Sequence, residues 1–228
     1  MTARAPIRGI QAVIVDLDGT MVDTLGDFAA ALNLMLGELA LPPIAPQRIE
    51  TMVGKGSEHL VHSVLAAVGA PRDDGQALFD KAFDSYQRHY ATVNGQHSEV
   101  YRGVVEGLQW LSGRGMALAC LTNKPTAFAR ELLAAKRLDG FFTQVFGGDA
   151  FVRKKPDPLP LVKTCEALRT TAAHTLMVGD SSNDALAARA AGCPVVLVTY
   201  GYNHGEPVLR VDADGFVDSL ADLRALLG

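Results

Sequence analysis

The chain has 228 residues, 48% of them hydrophobic, and a formal net charge of −4. That apolar share can fill a core and excludes a disordered chain, and the scattered Lys and Arg offer no basic face for nucleic acid, so an anionic ligand must be met by a local constellation. Cys120, Cys165 and Cys193 are far apart and set among apolar neighbours, which argues against a disulfide framework or a cysteine zinc site and points to the cytoplasm.

The apolar run at residues 10–15 is interrupted by Gln11 and too short for a signal-peptide core, and no stretch is long and apolar enough to span a bilayer, so no membrane association is expected. Runs at 12–15, 117–121, 175–178 and 195–198 read as buried strands. Helical patterns between the later runs make these βα units, predicting a doubly wound parallel α/β core. Roughly a hundred residues separate the first two strands, far more than a crossover needs, so a second unit is inserted there. It reads as a small helical cap over residues 23–97, leaving 1–22 and 98–228 as core, with hinges at 22–24 and 95–101. Leu25, Phe28, Leu32, Leu36 and Leu39 keep a helical stripe, and Thr24 with Asp27 predicts a capping box. Further helices are expected at about 57–68 and 74–89, with Pro42, Pro43, Pro46 and residues 69–71 as breaks.

In such sheets ligands bind beyond the carboxyl ends of the strands, which directs attention to the residues just after each run. In Asp16-Leu17-Asp18-Gly19-Thr20, strand alternation puts both carboxylates on one side. Such a pair is costly unless a cation neutralises it or one group stays protonated; alone, it could be only a polar strand end with an Asp-Gly turn. Gly179-Asp180-Ser181-Ser182-Asn183-Asp184 repeats the design, with Asp180 and Asp184 on one face if a helix begins there. Asp16, Asp180 and one backbone carbonyl would suit Mg2+, although capping by Ser181, Ser182 or Asn183 accounts for the segment too. Leu121-Thr122-Asn123-Lys124-Pro125 offers a hydroxyl and backbone N–H groups to phosphate oxygens just before a helix. Arg153-Lys154-Lys155-Pro156-Asp157-Pro158 adds cations on a stiff path, otherwise a solvated basic patch.

In this order the segments resemble the haloacid dehalogenase superfamily of phosphatases, whose pattern is Asp-x-Asp-Gly-Thr, a Ser or Thr after the second strand, a Lys, then Gly-Asp-x-x-x-Asp. The resemblance implies a Rossmann-like core of the haloacid dehalogenase type with a cap, and a phosphomonoester hydrolase. By it Asp16 is the nucleophile that forms an aspartyl-phosphate and Asp18 the acid and base, a group that dehalogenating members lack. Mg2+ is then held by Asp16, Asp18 through its carbonyl, and Asp180; Thr122 and Lys155 complete the clamp, with Asn183 and Asp184 in support. Lys155 is chosen over Lys154 because it directly precedes Pro156.

Val53-Gly54-Lys55-Gly56, Tyr101-Arg102-Gly103-Val104, Thr122-Asn123-Lys124-Pro125 and the run from Tyr200 to Pro207 are similar to bacterial phosphoglycolate phosphatases, with Arg102 where many members have proline. This implies 2-phosphoglycolate as the small phosphorylated metabolite, with Thr122 and Asn123 among its contacts and Gly54, Lys55 and Gly56 as an anion pocket for its carboxylate. Gly54 and Gly56 could equally be a flexible turn. A sugar phosphate, N-acetylmuramic acid 6-phosphate or a phosphomutase activity would fit the same core. A receiver-like signalling domain needs no cap, and no Gly-x-Gly-x-x-Gly follows the first strand for a dinucleotide. The histidines form no metal spacing, although His204 follows a strand end near the site. A monomer and a homodimer are both compatible.

Overall fold

The computed structural model describes residues 7–70 and 75–227. Strand β1 (Ala12–Val15) is followed by β2 (Val22–Asp23) and helices α1 (Leu25–Glu38), α2 (Pro46–Glu50), α3 (Ser57–Ala67) and α4 (Gly75–Val93). The chain continues through β3 (Glu99–Val100), α5 (Val104–Gly113), β4 (Ala117–Leu121), α6 (Thr126–Ala135), β5 (Gln144–Phe146), α7 (Leu159–Ala167), β6 (Thr175–Gly179), α8 (Ser182–Ala191), β7 (Val195–Val198), β8 (Gly215–Val217) and α9 (Leu223–Leu226).

The six-stranded sheet runs β5-β4-β1-β6-β7-β8 and every pair in it is parallel. The apolar runs are continuous because both faces are covered. Val13, Val15, Leu118, Cys120 and Val178 pack with Leu108 of α5 and Leu132 of α6, while Ile14, Ala119, Leu121, Met177 and Leu197 pack with Leu161 of α7 and Ala188 of α8. β1 sits between β4 and β6, where the chain order reverses, and this places the residues after β1 at the switch point of the sheet. β5 and β8 were not legible as strands: each has three residues, too few to show a period.

Helices α1 to α4 carry a separate hydrophobic cluster, with Phe28, Leu32, Leu36, Leu60, Val64, Tyr86 and Tyr90 buried in it. β2 and β3 pair antiparallel where the chain leaves and re-enters the sheet layer. Pro46, expected as a break, opens α2 at its first turn, where a missing N–H costs nothing. Pro71 and Asp74, expected in a break and at a helix start, lie outside the described residues.

The predicted capping box at α1 does not form. Thr24 makes no side-chain cap bond and its Oγ1 is buried without a partner. The Thr24 and Leu25 N–H groups donate instead to the Tyr202 hydroxyl, at 2.9 and 3.1 Å, so the helix start is capped from the loop after β7. Asp27, fully buried, accepts from Gly95 N–H at 2.8 Å and His97 N–H at 2.7 Å, tying α1 to the segment after α4. No helix among the described residues is long and apolar enough to cross a membrane.

Two substitutions separate these roles by urea unfolding. Thr24→Val is expected to change stability by less than about 0.5 kcal/mol or to raise it, where loss of a true cap would cost about 1 kcal/mol. Asp27→Ala strands two backbone donors and is expected to cost about 3 kcal/mol.

Candidate active site

Asp16 follows β1 directly, and its Oδ1 accepts from Leu17 N–H at 2.8 Å and faces Lys155 Nζ at 3.0 Å. The chain then turns tightly, the N–H groups of Met21 and Val22 donating to Leu17 C=O. Asp18 and Asp16 line the same cavity, while Leu17 is buried in the core on the other side. Gly19 has φ +80, and a Cβ there would fall 2.3 Å from Asp180 Oδ2, so no other residue lets the loops after β1 and β6 approach this closely.

Asp180 accepts from Tyr202 N–H at 2.7 Å and from the Thr20 hydroxyl at 3.3 Å. Ser181 starts α8: its N–H and its hydroxyl donate to Asp184 Oδ2 at 3.2 and 2.9 Å. Capping and the acidic cluster are therefore one arrangement. Asp184 Oδ1 accepts from Lys155 Nζ at 2.7 Å, and that ammonium also donates to Leu121 C=O at 2.8 Å. Of the adjacent lysines, Lys155 has a side chain 2% exposed, whereas Lys154 is 40% exposed and reaches Glu58 at 3.7 Å.

One oxygen from each of Asp16, Asp180 and Asp184 can be chosen so that all lie within 4.8 Å of one another, and all three residues are buried. Burial pushes Asp16 up to about 7, against the pull of Lys155, with Asp184 and Asp18 adding to the rise. Burial, then Asp184 and Asp16, drive Asp180 well above the usual carboxylate range. Burial alone would lower Lys155, but Asp16 and Asp184 hold it above the ordinary lysine value. One ammonium, in contact with Asp16 and Asp184, thus serves a cluster of three carboxylates, and an oxygen-only donor set with excess negative charge fits a hard divalent cation. Asp184 takes the shorter contact with Lys155, 2.7 Å, whereas Asp180 accepts from neutral donors and pairs with no cation among the described residues, so Asp16 and Asp180 are the carboxylates suited to hold it, with Asp184 fixing Lys155 behind them.

The loop after β4 differs from expectation. Thr122 N–H is committed to Phe146 C=O at 3.0 Å, and Lys124 N–H to Thr122 Oγ1 at 3.2 Å. The start of α6 is also taken, since Thr126 N–H donates to Asp149 at 2.8 Å. Three N–H groups of this stretch are thus taken within the protein, while Thr122 lines the cavity. Asn123 Nδ2 donates to Gly54 C=O at 2.9 Å and to Lys155 C=O at 2.8 Å, and Asn183 Nδ2 reaches the same Gly54 C=O at 3.1 Å. Gly54 and Gly56 line the cavity; Lys55 between them is exposed and does not. His204 packs over Gly54, its Cε1 lying 3.0 Å from where a Cβ would stand.

Sequence reasoning assigned no role to Lys124, Tyr90 or Phe28. All three line the cavity, and they meet only through contacts distant in sequence. Local pattern shows Phe28 as a core position of an amphipathic helix and nothing more, and Tyr90 falls just past the helix expected at about 74–89.

A raised carboxylate pKa carries a sign. The Asp16 contribution to stability is fully present below its ordinary 3.8 and is lost as pH rises through about 7. Chelated protein should therefore lose Tm on going from about pH 5.5 to about pH 8, and millimolar Mg2+ should raise Tm more at the higher pH, because binding there displaces fewer protons. An equal rise at both pH values, read by thermal unfolding, would remove these carboxylates as the metal ligands.

The family model of haloacid dehalogenase-like hydrolases matches residues 13–198. A phosphoglycolate phosphatase of Thiobacillus denitrificans is 45% identical over 213 residues, covering 93% of this chain and 93% of its own. One of Nitrosospira multiformis is 43% identical over 220 residues, 96% of each chain. Among solved structures, a protein from Haemophilus somnus described as a "predicted phosphoglycolate phosphatase" superposes with a TM-score of 0.91 at 31% identity, over 95% of this chain and 97% of that one. With the match spanning β1 to β7 and the paired carboxylates of the strand ends inside it, the chain belongs to the haloacid dehalogenase-like hydrolases.

Proposed function

We propose that this phosphoric monoester hydrolase cleaves 2-phosphoglycolate to glycolate and phosphate through an aspartyl-phosphate on Asp16. The observation that carries the mechanism is the shared cavity: Asp16, braced by Lys155 at 3.0 Å, and Asp18 two residues on both open into it, with Thr122 beside them. The substrate class is supported by the names of relatives that match nearly the whole chain. The walls agree with a small substrate, since Phe28, Val53, Leu60, Tyr86 and Tyr90 close the cavity from the helical side.

In the first step an Asp16 oxygen attacks phosphorus, the bond from phosphorus to the leaving oxygen breaks, and Asp18 supplies that oxygen with its proton. In the second, Asp18 takes a proton from water, the water oxygen bonds phosphorus, and the Asp16 carboxylate leaves. Thr122 holds a phosphoryl oxygen through its hydroxyl, and Lys155, already committed to Asp16, Asp184 and Leu121 C=O, steers the nucleophile and offsets its charge. A divalent cation on Asp16, Asp180 and the Asp18 carbonyl, which we take to be magnesium, would offset the repulsion between the nucleophile and an anionic phosphate.

Residues 23–97 act in this reading as a cap hinged at the β2–β3 ribbon, closing over the cavity to exclude water and opening for release. The protein works in the cytoplasm, in keeping with three buried free cysteines.

Phosphate release with Mg2+ from a panel of 2-phosphoglycolate, sugar phosphates and N-acetylmuramic acid 6-phosphate tests both levels. Wild-type protein is expected to prefer 2-phosphoglycolate by at least about tenfold in kcat/KM, and Asp16→Asn to lose turnover by at least about 10³-fold with an unchanged Tm. Preference for another ester would replace the substrate and keep the chemistry; activity surviving in Asp16→Asn would end the covalent mechanism.

A further inference from the structure

Lys124 follows the Thr122 hydroxyl by two residues, and its side chain is 2% exposed. Its ammonium donates to both Asp18 oxygens, at 2.9 and 3.1 Å, and to the Tyr90 hydroxyl at 2.7 Å. Three donors meet three acceptors, so the group is saturated. Above it lie the rings of Phe28 and Tyr90, whose centroids are 4.6 and 4.8 Å from Nζ. Lys155 is spent on Asp16, Asp184 and Leu121 C=O, and among the described residues Lys124 is the only cation lining the cavity.

These contacts come from different layers. Asp18 and Lys124 belong to loops at the ends of sheet strands, whereas Phe28 lies on α1 and Tyr90 on α4. Remove the helices and the ammonium loses a hydrogen bond and two aromatic faces, and water enters around the Lys124–Asp18 pair. Its attraction then falls several-fold as the local dielectric rises.

We propose that Lys124 is a positioning residue: it fixes the Asp18 carboxylate in the cavity and makes that placement depend on the cap being closed over it. The inference rests on the phosphatase reading above, with Asp18 as the group that serves the leaving oxygen. It assigns Tyr90 as the cap's half of the coupling, through one hydroxyl, and Phe28 as its cover. An acid held only when the cap is shut is poorly placed while bulk water has access to the phosphoryl group.

The test is a leaving-group series of phosphate monoesters without a carboxylate, running from 4-nitrophenyl phosphate to an alkyl phosphate, read as kcat/KM for wild type, Lys124→Met and Tyr90→Phe. A good leaving group needs no proton, so a misplaced Asp18 is felt only at the alkoxide end. Lys124→Met is expected to lose at least about 30-fold on the alkyl ester and less than about threefold on 4-nitrophenyl phosphate. Tyr90→Phe should show the same ordering at smaller size. It decides the matter by that criterion if Lys124→Met does not fold. Equal losses along the series overturn the proposal, as does a loss confined to 2-phosphoglycolate, which would make Lys124 a contact for the substrate's carboxylate. If wild-type protein releases phosphate neither from any ester in the series nor from 2-phosphoglycolate, the phosphatase reading on which the proposal rests is ended instead.

Discussion

The site is organised by a buried excess of negative charge. Asp16, Asp180 and Asp184 converge at the ends of β1 and β6, with Lys155 as the ammonium among them. Carboxylates hold such positions only if each is hydrogen-bonded or matched by a cation, and most of the local architecture can be understood as meeting that demand. Asp184 is satisfied by Ser181 and Lys155, and Asp180 by Tyr202 and Thr20. What remains unbalanced is an oxygen-lined place for a hard cation, next to the Asp16 carboxylate that opens into the cavity.

Close approach of loops follows from the same demand. A Cβ at Gly179 would lie 2.3 Å from Asp184 Cγ, one at Gly201 2.1 Å from Asp180 Cβ, and one at Gly19 2.3 Å from Asp180 Oδ2. Glycine is needed at each because a carboxylate occupies the space a side chain would take. The loops after β1, β6 and β7 are thereby packed to near contact, and this brings Tyr202 to donate its N–H to Asp180 while its hydroxyl caps α1. The acidic cluster and the entry to the inserted helices share that one residue.

The inserted helical segment meets the sheet layer at separate points around the cavity. Gly54 C=O receives Asn123 and Asn183 from two loops of the sheet layer, and Tyr90 reaches the Lys124–Asp18 pair. Away from the cavity, Asn94 donates to Phe128 C=O at 3.0 Å and Lys136 to Gly95 C=O at 2.9 Å, and at its edge Tyr90 meets Phe128 edge to face. Tyr202 and Phe128 of the sheet layer pack into the helical cluster, whereas each layer also has an extensive apolar cluster of its own.

Sequence alone determined the sheet's central strands, the helical character of the inserted segment and the acidic strand ends, because each is written in contiguous residues: apolar runs, a helical stripe, Asp-x-Asp-Gly-Thr and Gly-Asp-x-x-x-Asp. The membership in a phosphatase superfamily suggested by those motifs agrees with the family match. Tertiary structure decided what depends on partners far along the chain. Thr24 and Asp27 have the spacing of a capping box, yet Tyr202 and the 95–97 segment compete for the same groups and win. The N–H groups after β4 look open to phosphate in one dimension, but Phe146 and Asp149 occupy two of them in three. Lys124 sits in a recognisable motif with no visible purpose until α1 and α4 fold over it, 96 and 34 residues away in sequence at Phe28 and Tyr90. Local pattern records which residues favour an element or carry a charge; which acceptor finally takes a given donor is settled only when the layers pack.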